Sequence, residues 1–243
     1  FIFLPTNTTV KYFLKKIQLF LVNKKLKAPK IINAGYLKLD HVRRKLDLIN
    51  DKKDSILLAP TGNHMFKNFN ISNDLLSIID NLLNKTKNKI IFRPHPFELT
   101  KKGNINYVNK IADKFKGYKN FTIDLSVSYL KSYSKAKLLI TDFSGTAYTF
   151  AFSTLNPVIF YSRNEGKFKK TKYSNLSYFK DRLRIGYISK DVAHLTNLIN
   201  KSNLINKKMK NKIVSLRKKR IKYLDKSLKK THDEILDILN TKK

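Results

Sequence analysis

Short apolar runs alternate with helix-forming segments from Ser55 onward, and this alternation restricts the possible folds more than any other feature. The runs predict strands at residues 55–60, 89–92, 121–123, 137–141, 157–161 and 184–188. Apolar residues at helical spacing predict helices at residues 74–83 and 106–115. Strands that alternate with helices of this length indicate βαβ units. We therefore expect an α/β fold with a parallel, doubly wound sheet and helices on both faces.

The two ends of the chain are basic and carry helical patterns. Residues 11–27 (KYFLKKIQLFLVNKKLK) are amphipathic, and we expect a connector helix packed on the sheet; the alternative is a helix on an anionic membrane surface. Residues 207–239 predict a helix with one buried stripe, and the alternative is a nucleic-acid-binding arm. The stripe comprises Ile213, Leu216, Ile221, Leu224, Leu228, Ile235 and Leu239.

The net charge of +34 comes from 51 Lys and Arg residues against 17 Asp and Glu residues. Lysine is scattered over the whole chain beside abundant Asn and Ile, as codon bias in an AT-rich genome would produce. The alternative is attraction to nucleic acid, an acidic membrane or a phosphate-rich polymer. Because no zinc-ligand spacing, aromatic RNA-binding signature or helix-turn-helix is present, we do not expect nucleic acid as a partner.

Cysteine is absent, which excludes a disulfide framework and thiolate metal sites. No Asp-x-Asp pair or carboxylate cluster indicates a bound metal, and we predict no metal and no cofactor. We find no secretory signal and no run of about 20 apolar residues. Since the chain begins at Phe1, we expect a fragment that lacks most of an N-terminal domain.

Three loops that follow predicted strands carry the candidate chemistry. In a parallel sheet, loops at the carboxyl ends of the strands share one edge, where ligands bind. The first loop, residues 59–64 (APTGNH), contains Thr61, Gly62 and His64. Its small residues would let backbone amides approach a ligand closely. An ordinary strand–turn–helix junction would have a similar composition.

The second loop is Arg93-Pro94-His95-Pro96, in which two prolines restrict the backbone around a histidine. A histidine fixed at a strand end can donate a hydrogen bond to a phosphate oxygen or protonate a leaving phosphate. Arg93 could supply two hydrogen bonds to a diphosphate. The alternative is a loop in which proline merely ends the strand.

The third loop lies within residues 141–152 (TDFSGTAYTFAF). A strand ends at Asp142, and Ser144, Gly145 and Thr146 then open a helix. Free amides and hydroxyl groups at a helix start form an anion site, which the helix dipole supports. The alternative is an ordinary Ser/Thr cap that needs no ligand. We favour a phosphate site.

These motifs together resemble the C-terminal domain of the CDP-glycerol glycerophosphotransferase family. The resemblance rests on Arg-Pro-His-Pro after a strand, on LITDFSGT followed by FAF and on NPVIFY. Upstream, Asn33-Ala34-Gly35-Tyr36-Leu37-Lys38-Leu39-Asp40 resembles the Gly-Tyr-Pro…Asp segment that precedes this domain in the family, with Leu37 in place of proline. The similarity covers residue 31 to the C-terminus.

The resemblance implies a Rossmann-like, GT-B C-terminal domain at residues 31–206. Residues 1–30 would be a connector or remnant of an N-terminal domain, and residues 207–243 a basic helical segment packed on the Rossmann-like domain. His95 and the turn at residues 144–146 would hold the donor's phosphates, with Arg93 and Asp142 nearby. The family usually shows Ser-Ser where this chain has Ser144-Gly145, so the donor is open between CDP-glycerol and a nucleotide sugar. In the family, the general base lies in the N-terminal domain. His64 is the candidate general base within this chain.

The implied reaction transfers a glycerol phosphate or sugar from a nucleotide donor to the acceptor of a cell-surface polymer. A capsule-type glycosyltransferase is one alternative, a basic nucleic-acid-binding protein another, and an inactive remnant that binds nucleotide a third. The resemblance further implies a cytoplasmic protein, peripheral to the inner face of the cell membrane, with the anionic membrane surface as a partner.

Overall fold

The computed structural model describes residues 1–6, 11, 14, 20, 29–66, 68–100 and 105–240. Contacts divide the chain into two compact units, one formed by residues 1–45 and 214–243 and the other by residues 46–213. The domain division expected at residues 30 and 206 stays a prediction. Most of the predicted helix at residues 11–27 lies outside the described residues.

The described strands and helices follow one another in a largely alternating order. The strands are β1 (Ile2–Leu4), β2 (Ile31–Asn33), β3 (Ser55–Leu58), β4 (Lys89–Phe92), β5 (Phe121–Ile123), β6 (Ala136–Thr141), β7 (Val158–Tyr161) and β8 (Gly186–Ser189). The helices are α1 (Leu37–Asp47), α2 (Leu75–Lys85), α3 (Ile105–Phe115), α4 (Leu130–Lys135), α5 (Thr146–Thr154), α6 (Glu165–Lys169), α7 (Ser177–Lys180), α8 (Arg182–Ile185), α9 (Val192–Asn200), α10 (Ser202–Arg220) and α11 (Ser227–Asn240). Single 3-10 turns lie at Ser72–Asp74, Pro96–Leu99 and Lys172–Asn175.

The larger unit is built on a six-stranded sheet with the order β5-β4-β3-β6-β7-β8. Every adjacent pair of strands in it is parallel. The order reverses between β3 and β6, so the connections on either side of this point diverge and leave a crevice at the carboxyl ends of the strands. The predicted α/β, Rossmann-like parallel sheet is therefore confirmed.

The core of the larger unit covers both faces of the sheet. On one face, Ile56, Leu138 and Ile140 pack with apolar residues of α2, α3 and α9. Side chains alternate along a strand, so Leu57 and Leu139 point to the other face, and both are fully buried. There α4 contacts β3 and α5 contacts β6. Helices on both faces were predicted, and the structure has them.

The smaller unit contains the parallel pair β1–β2 together with α1 and α11. Gly35 has a φ of 85°, and an added Cβ would lie 2.7 Å from Cβ of Ser227 and 2.9 Å from the Lys222 carbonyl oxygen. Asp40 is 2% exposed and accepts a hydrogen bond from the Ser227 amide at 3.1 Å. Within this unit, the Gly35…Asp40 segment therefore positions the start of α11.

The predicted C-terminal stripe is half wrong. Ile213, Leu216 and Ile221 are buried, but Leu228, Ile235 and Leu239 are 59%, 44% and 59% exposed. The helix is interrupted between α10 and α11, where Tyr223 and Asp225 adopt positive φ angles of 59° and 64°. The 3.6-residue periodicity is therefore not continuous from α10 to α11, and the later positions do not extend the buried stripe. Among the described residues, no helix has the length and apolar character of a membrane span.

Candidate functional site

Asp142 connects the first and third candidate loops at the point where the strand order reverses. It directly follows β6 and is 1% exposed. One carboxylate oxygen accepts hydrogen bonds from the Thr61 amide at 2.8 Å and the Phe143 amide at 2.7 Å, and the other accepts from the Ile71 amide at 2.9 Å. Burial raises the pKa of Asp142, and these amide bonds act in the opposite direction. The Asp142 carboxylate therefore holds the first and third loops together.

Gly62 connects the first loop to the second. A Cβ added to Gly62 would lie 2.7 Å from Cε1 of His64 and 3.3 Å from Nδ1 of His95. Glycine therefore allows both imidazoles to approach the backbone. The two imidazole rings are 6.4 Å apart between centroids, and the His64 ring lies 4.1 Å from that of Phe97. Thr61, next in the loop, is 5% exposed.

The Nδ1 atom of His95 accepts a hydrogen bond from the Phe97 amide at 3.2 Å. A ring nitrogen that accepts is unprotonated, so the proton of the neutral ring resides on Nε2. Burial lowers the pKa of His95, although the nearby Glu98 raises it. His95 thus presents an uncharged N–H donor at neutral pH.

Ser144, Gly145 and Thr146 form the turn that opens α5, which we call the α5 turn. Ser144 Oγ accepts from the Thr146 amide at 3.4 Å. Gly145 is exposed, has an ordinary φ of −60°, and an added Cβ would meet no atom within 4 Å. The space above Gly145 is therefore open to a ligand, beside the amides that begin the helix.

Tyrosine and phenylalanine side chains hydrogen-bond to the α5 turn or pack beside it. The Tyr178 hydroxyl donates to the Ser144 carbonyl oxygen, and the Tyr133 hydroxyl is hydrogen-bonded to Thr146 Oγ1. Phe143 is 6% exposed and packs against Phe168, with ring centroids 4.9 Å apart. These contacts fix the position of the turn before any ligand arrives.

Arg93 has its guanidinium group occupied by its own chain. Its Nη1 bonds to Asp124 Oδ2 at 2.6 Å, and its Nη2 donates to the carbonyl oxygens of Ser126 and Val127 at 2.8 Å and 3.1 Å. Although burial opposes it, hydrogen bonds from Ser126, Ser132 and Arg93 lower the pKa of Asp124. Arg93 would have to leave these partners to bind a diphosphate. In this structure it holds the loop that follows β5.

Two contributors were not among the candidates from the sequence. Glu98 is 8% exposed and accepts a hydrogen bond from the Asn63 amide at 2.9 Å. This bond links the first loop (residues 59–64), which we call the Gly62 loop, to the turn after His95. Tyr178 lies 34 residues from Ser144 along the chain. An acidic residue in a 3-10 turn beside the His-Pro motif is a signal for Glu98. No sequence signal identifies Tyr178, because its hydrogen bond to Ser144 depends on the tertiary structure.

The three loops thus meet at one edge of the sheet and present an N–H donor, helix-start amides and hydroxyl groups. This combination suits a phosphate group. Among the residues that the structure describes, no group of three or more His, Asp or Glu side chains is arranged to hold a metal ion.

Solved structures of similar fold include a variant of the wall teichoic acid polymerase TagF soaked with CDPG. It is 20% identical, has a TM-score of 0.62, and the match covers 100% of this chain and 57% of that chain. TagF without the soak is 19% identical, with a TM-score of 0.60 and coverage of 100% and 58%. The UDP-GlcNAc 2-epimerase of Methanocaldococcus jannaschii, in complex with UDP-GlcNAc and UDP, is 17% identical, with a TM-score of 0.53 and coverage of 99% and 61%. This chain therefore spans less than two thirds of the length of each.

Comparison with curated proteins found no match. The family described as CDP-Glycerol:Poly(glycerophosphate) glycerophosphotransferase matches residues 28–236, which is most of the chain. The chain therefore belongs to this glycerophosphotransferase family.

Proposed function

We propose that this chain is the donor-binding domain of a transferase that builds a glycerol-phosphate or related surface polymer from CDP-glycerol or a similar donor. The observation that carries the proposal is the junction at Asp142, which brings the Gly62 loop and the α5 turn together at the carboxyl edge of the sheet. Membership of the family supports a glycerophosphotransferase, and so does the fold shared with a TagF variant soaked with CDPG.

In this proposal, the α5 turn and His95 hold the donor's phosphates. The amides at the start of α5 and the hydroxyl groups of Ser144 and Thr146 donate to phosphate oxygens. Nε2 of His95 donates a further hydrogen bond and stabilises the negative charge that develops on the departing phosphate. Asp142 and Gly62 act through position, because they fix the loops that carry these donors.

The proposed chemistry is a substitution at the β-phosphorus of the donor. The oxygen of an acceptor hydroxyl forms a bond to this phosphorus, and the bond from the phosphorus to the bridging diphosphate oxygen breaks. CMP leaves with that bonding pair, and the acceptor's proton passes to a general base. His64 is exposed and next to His95, so it stays the candidate base within this chain.

A nucleotide sugar is the second candidate donor, because Gly145 stands where the family usually has serine. Attack would then occur at the anomeric carbon, and the same phosphate site would hold the leaving nucleotide. Work at the cytoplasmic membrane face is also part of the proposal, since the chain carries a net charge of +34. Retention on vesicles of anionic lipid at low salt tests that part, and failure to be retained removes it.

Calorimetric titration with CDP-glycerol, CMP, UDP-N-acetylglucosamine and UDP tests the donor. We expect the cytidine ligands to bind more tightly than the uridine ligands. Preference for the uridine ligands would move the function to a glycosyltransferase. No binding to any nucleotide by folded protein would contradict the proposal, and steep salt-dependent binding of random oligonucleotides would then favour a nucleic-acid-binding protein.

A further inference from the structure

A cavity lies between the segments that follow β3 and β7, at the carboxyl edge of the sheet. Its volume is about 400 Å³, which is within the range for small-molecule sites. One wall is formed by residues 68–74, which follow β3 and include a 3-10 turn, and the other by residues 163–167, which follow β7 and include the start of α6. Its lining includes the asparagines Asn68, Asn73 and Asn164 together with Asp74, Arg163 and Lys167. We call this space the amide cavity after its asparagine side chains.

The amide cavity is physically connected to the proposed phosphate site. The Ile71 amide in its first wall donates to Asp142, which also fixes the start of the α5 turn. Phe69 packs edge-on against Phe143 at 6.2 Å and against Phe168 at 5.7 Å between ring centroids. The wall of the cavity and the α5 turn therefore share one rigid support.

The lining of the amide cavity combines cations with neutral hydrogen-bonding groups. Arg163 donates from Nη1 to Asp74 at 2.9 Å, and its side chain is 68% exposed. The other oxygen of Asp74 accepts from the Tyr161 hydroxyl at 2.9 Å, so this carboxylate is already held by two donors. Asn164 donates to the Asn68 carbonyl oxygen at 2.9 Å and braces the two walls against each other.

Positive charge continues along the chain after Lys167. Lys167, Lys169, Lys170 and Lys172 are all exposed. Glu165 lies in the same stretch but is 6% exposed and is paired with the buried Arg182 at 2.7 Å. Its charge is therefore neutralised inside the protein, and the exposed charges of this stretch are positive.

We propose that the amide cavity binds the end of the acceptor, a polyol phosphodiester chain. Arg163 and Lys167 bind a phosphodiester, the side-chain amides of Asn68 and Asn73 bind polyol hydroxyl groups, and the lysines that follow Lys167 contact further phosphates. This inference rests on the proposed function, because it identifies the second substrate of the same site. The contacts of Ile71 with Asp142 and of Phe69 with Phe143 place one wall of the cavity beside the residues that precede the α5 turn, and in this proposal the acceptor's terminal hydroxyl reaches the donor phosphate from that side.

The test compares two ligands and two charge-matched double variants of this chain. Glycerophosphoglycerol probes the amide cavity, and CMP probes the α5 turn, both by calorimetry. One variant combines Arg163→Gln with Lys167→Gln; the control combines Lys207→Gln with Lys208→Gln, two exposed lysines of α10. We expect the first variant to bind glycerophosphoglycerol about tenfold more weakly and CMP as before. The control is expected to bind both ligands as the unmodified chain does.

The outcomes separate this inference from the proposed function. If CMP binds but glycerophosphoglycerol does not, the acceptor site is wrong and the donor site stands. The same conclusion follows if CMP binds and both double variants lose affinity for glycerophosphoglycerol equally. If CMP fails to bind while glycerophosphoglycerol binds through Arg163 and Lys167, the donor site is wrong and the amide cavity stands. If a random oligonucleotide displaces glycerophosphoglycerol at lower concentration, the occupant is nucleic acid and the proposal is overturned.

Discussion

The Asp142 carboxylate accepts a hydrogen bond from the Thr61 amide at 2.8 Å, across a separation of 81 residues along the chain. The contact joins the loop after β3 to the loop after β6, at the point where the strand order reverses. An acidic residue next to a phosphate site would repel its ligand if it were exposed. Here the carboxylate is buried and bonded to three amides, so its role is to position the loops.

Asp142→Asn is expected to destabilise the fold by about 2–3 kcal/mol, because the asparagine NH₂ group would oppose a backbone N–H and leave it without an acceptor. Urea unfolding measures the change. Asp113→Asn, at an exposed position on α3, is the control and is expected to be neutral. An Asp142→Asn variant as stable as the control would show that the amides find other partners.

Gly62→Ala is expected to weaken CMP binding with little loss of stability. The new methyl group displaces the His64 ring, which is the end of a side chain and can move, and it presses on Nδ1 of His95. Gly117→Ala is the matched control, since an added Cβ there meets no atom within 4 Å. Calorimetry with CMP checks the expectation. Equal affinity in both variants would mean that the approach of His95 to Gly62 does not matter for binding.

Substitutions at Gly145 are expected to separate stability from binding. Gly145→Ser keeps the fold and CMP binding, because the site is open, its φ is ordinary, and serine adds a hydroxyl where the family usually has one. Gly145→Val should keep the fold within about 1 kcal/mol but fill the space above the turn, and so weaken CMP binding. Thermal unfolding and calorimetry measure the two effects. Unchanged binding in Gly145→Val would place the phosphate elsewhere.

The lowered pKa of His95 predicts a pH dependence of stability. An unfolded histidine titrates near 6.5, and burial keeps the folded ring neutral to lower pH. As the pH falls through about 6.5, the unfolded state takes up a proton that the folded state does not, so the free energy of unfolding decreases, by at most about 1.4 kcal/mol per pH unit. The decrease levels off below the lowered pKa.

Urea unfolding between pH 5 and 8 checks this dependence. His95→Gln is expected to have a shallower slope than the unmodified chain, and His194→Gln, at an exposed position on α9, is expected to keep it. Parallel curves for the unmodified chain and His95→Gln would contradict the neutral state of His95.

The sheet could be predicted from the sequence because buried parallel strands are continuous apolar runs. Residues 89–92 and 121–123 were predicted with the observed bounds of β4 and β5. The meeting of the candidate loops could then also be predicted, because parallel topology brings the carboxyl ends of such strands to one edge of the sheet. This reasoning needs local pattern and topology, and no knowledge of side-chain contacts.

Side-chain partners could not be predicted in the same way. The ion pair of Arg93 with Asp124 joins residues 31 positions apart along the chain, so the local pattern around Arg93 does not reveal it. The short helices α6, α7 and α8 have too few residues for a periodic pattern to be recognised. The interruption of the C-terminal helix depends on positive φ angles at Tyr223 and Asp225, which local propensity does not favour.

The phosphate site at His95 and the α5 turn is tested by measuring the affinity for CMP of the unmodified chain, His95→Ala and Ser144→Ala, with His194→Ala as control. We predict that the first two substitutions weaken binding by about tenfold or more and that the control leaves it unchanged, because the α5 turn and His95 hold the phosphate. CMP binding of equal affinity in all four folded proteins would contradict this phosphate site and leave both motifs as structural caps.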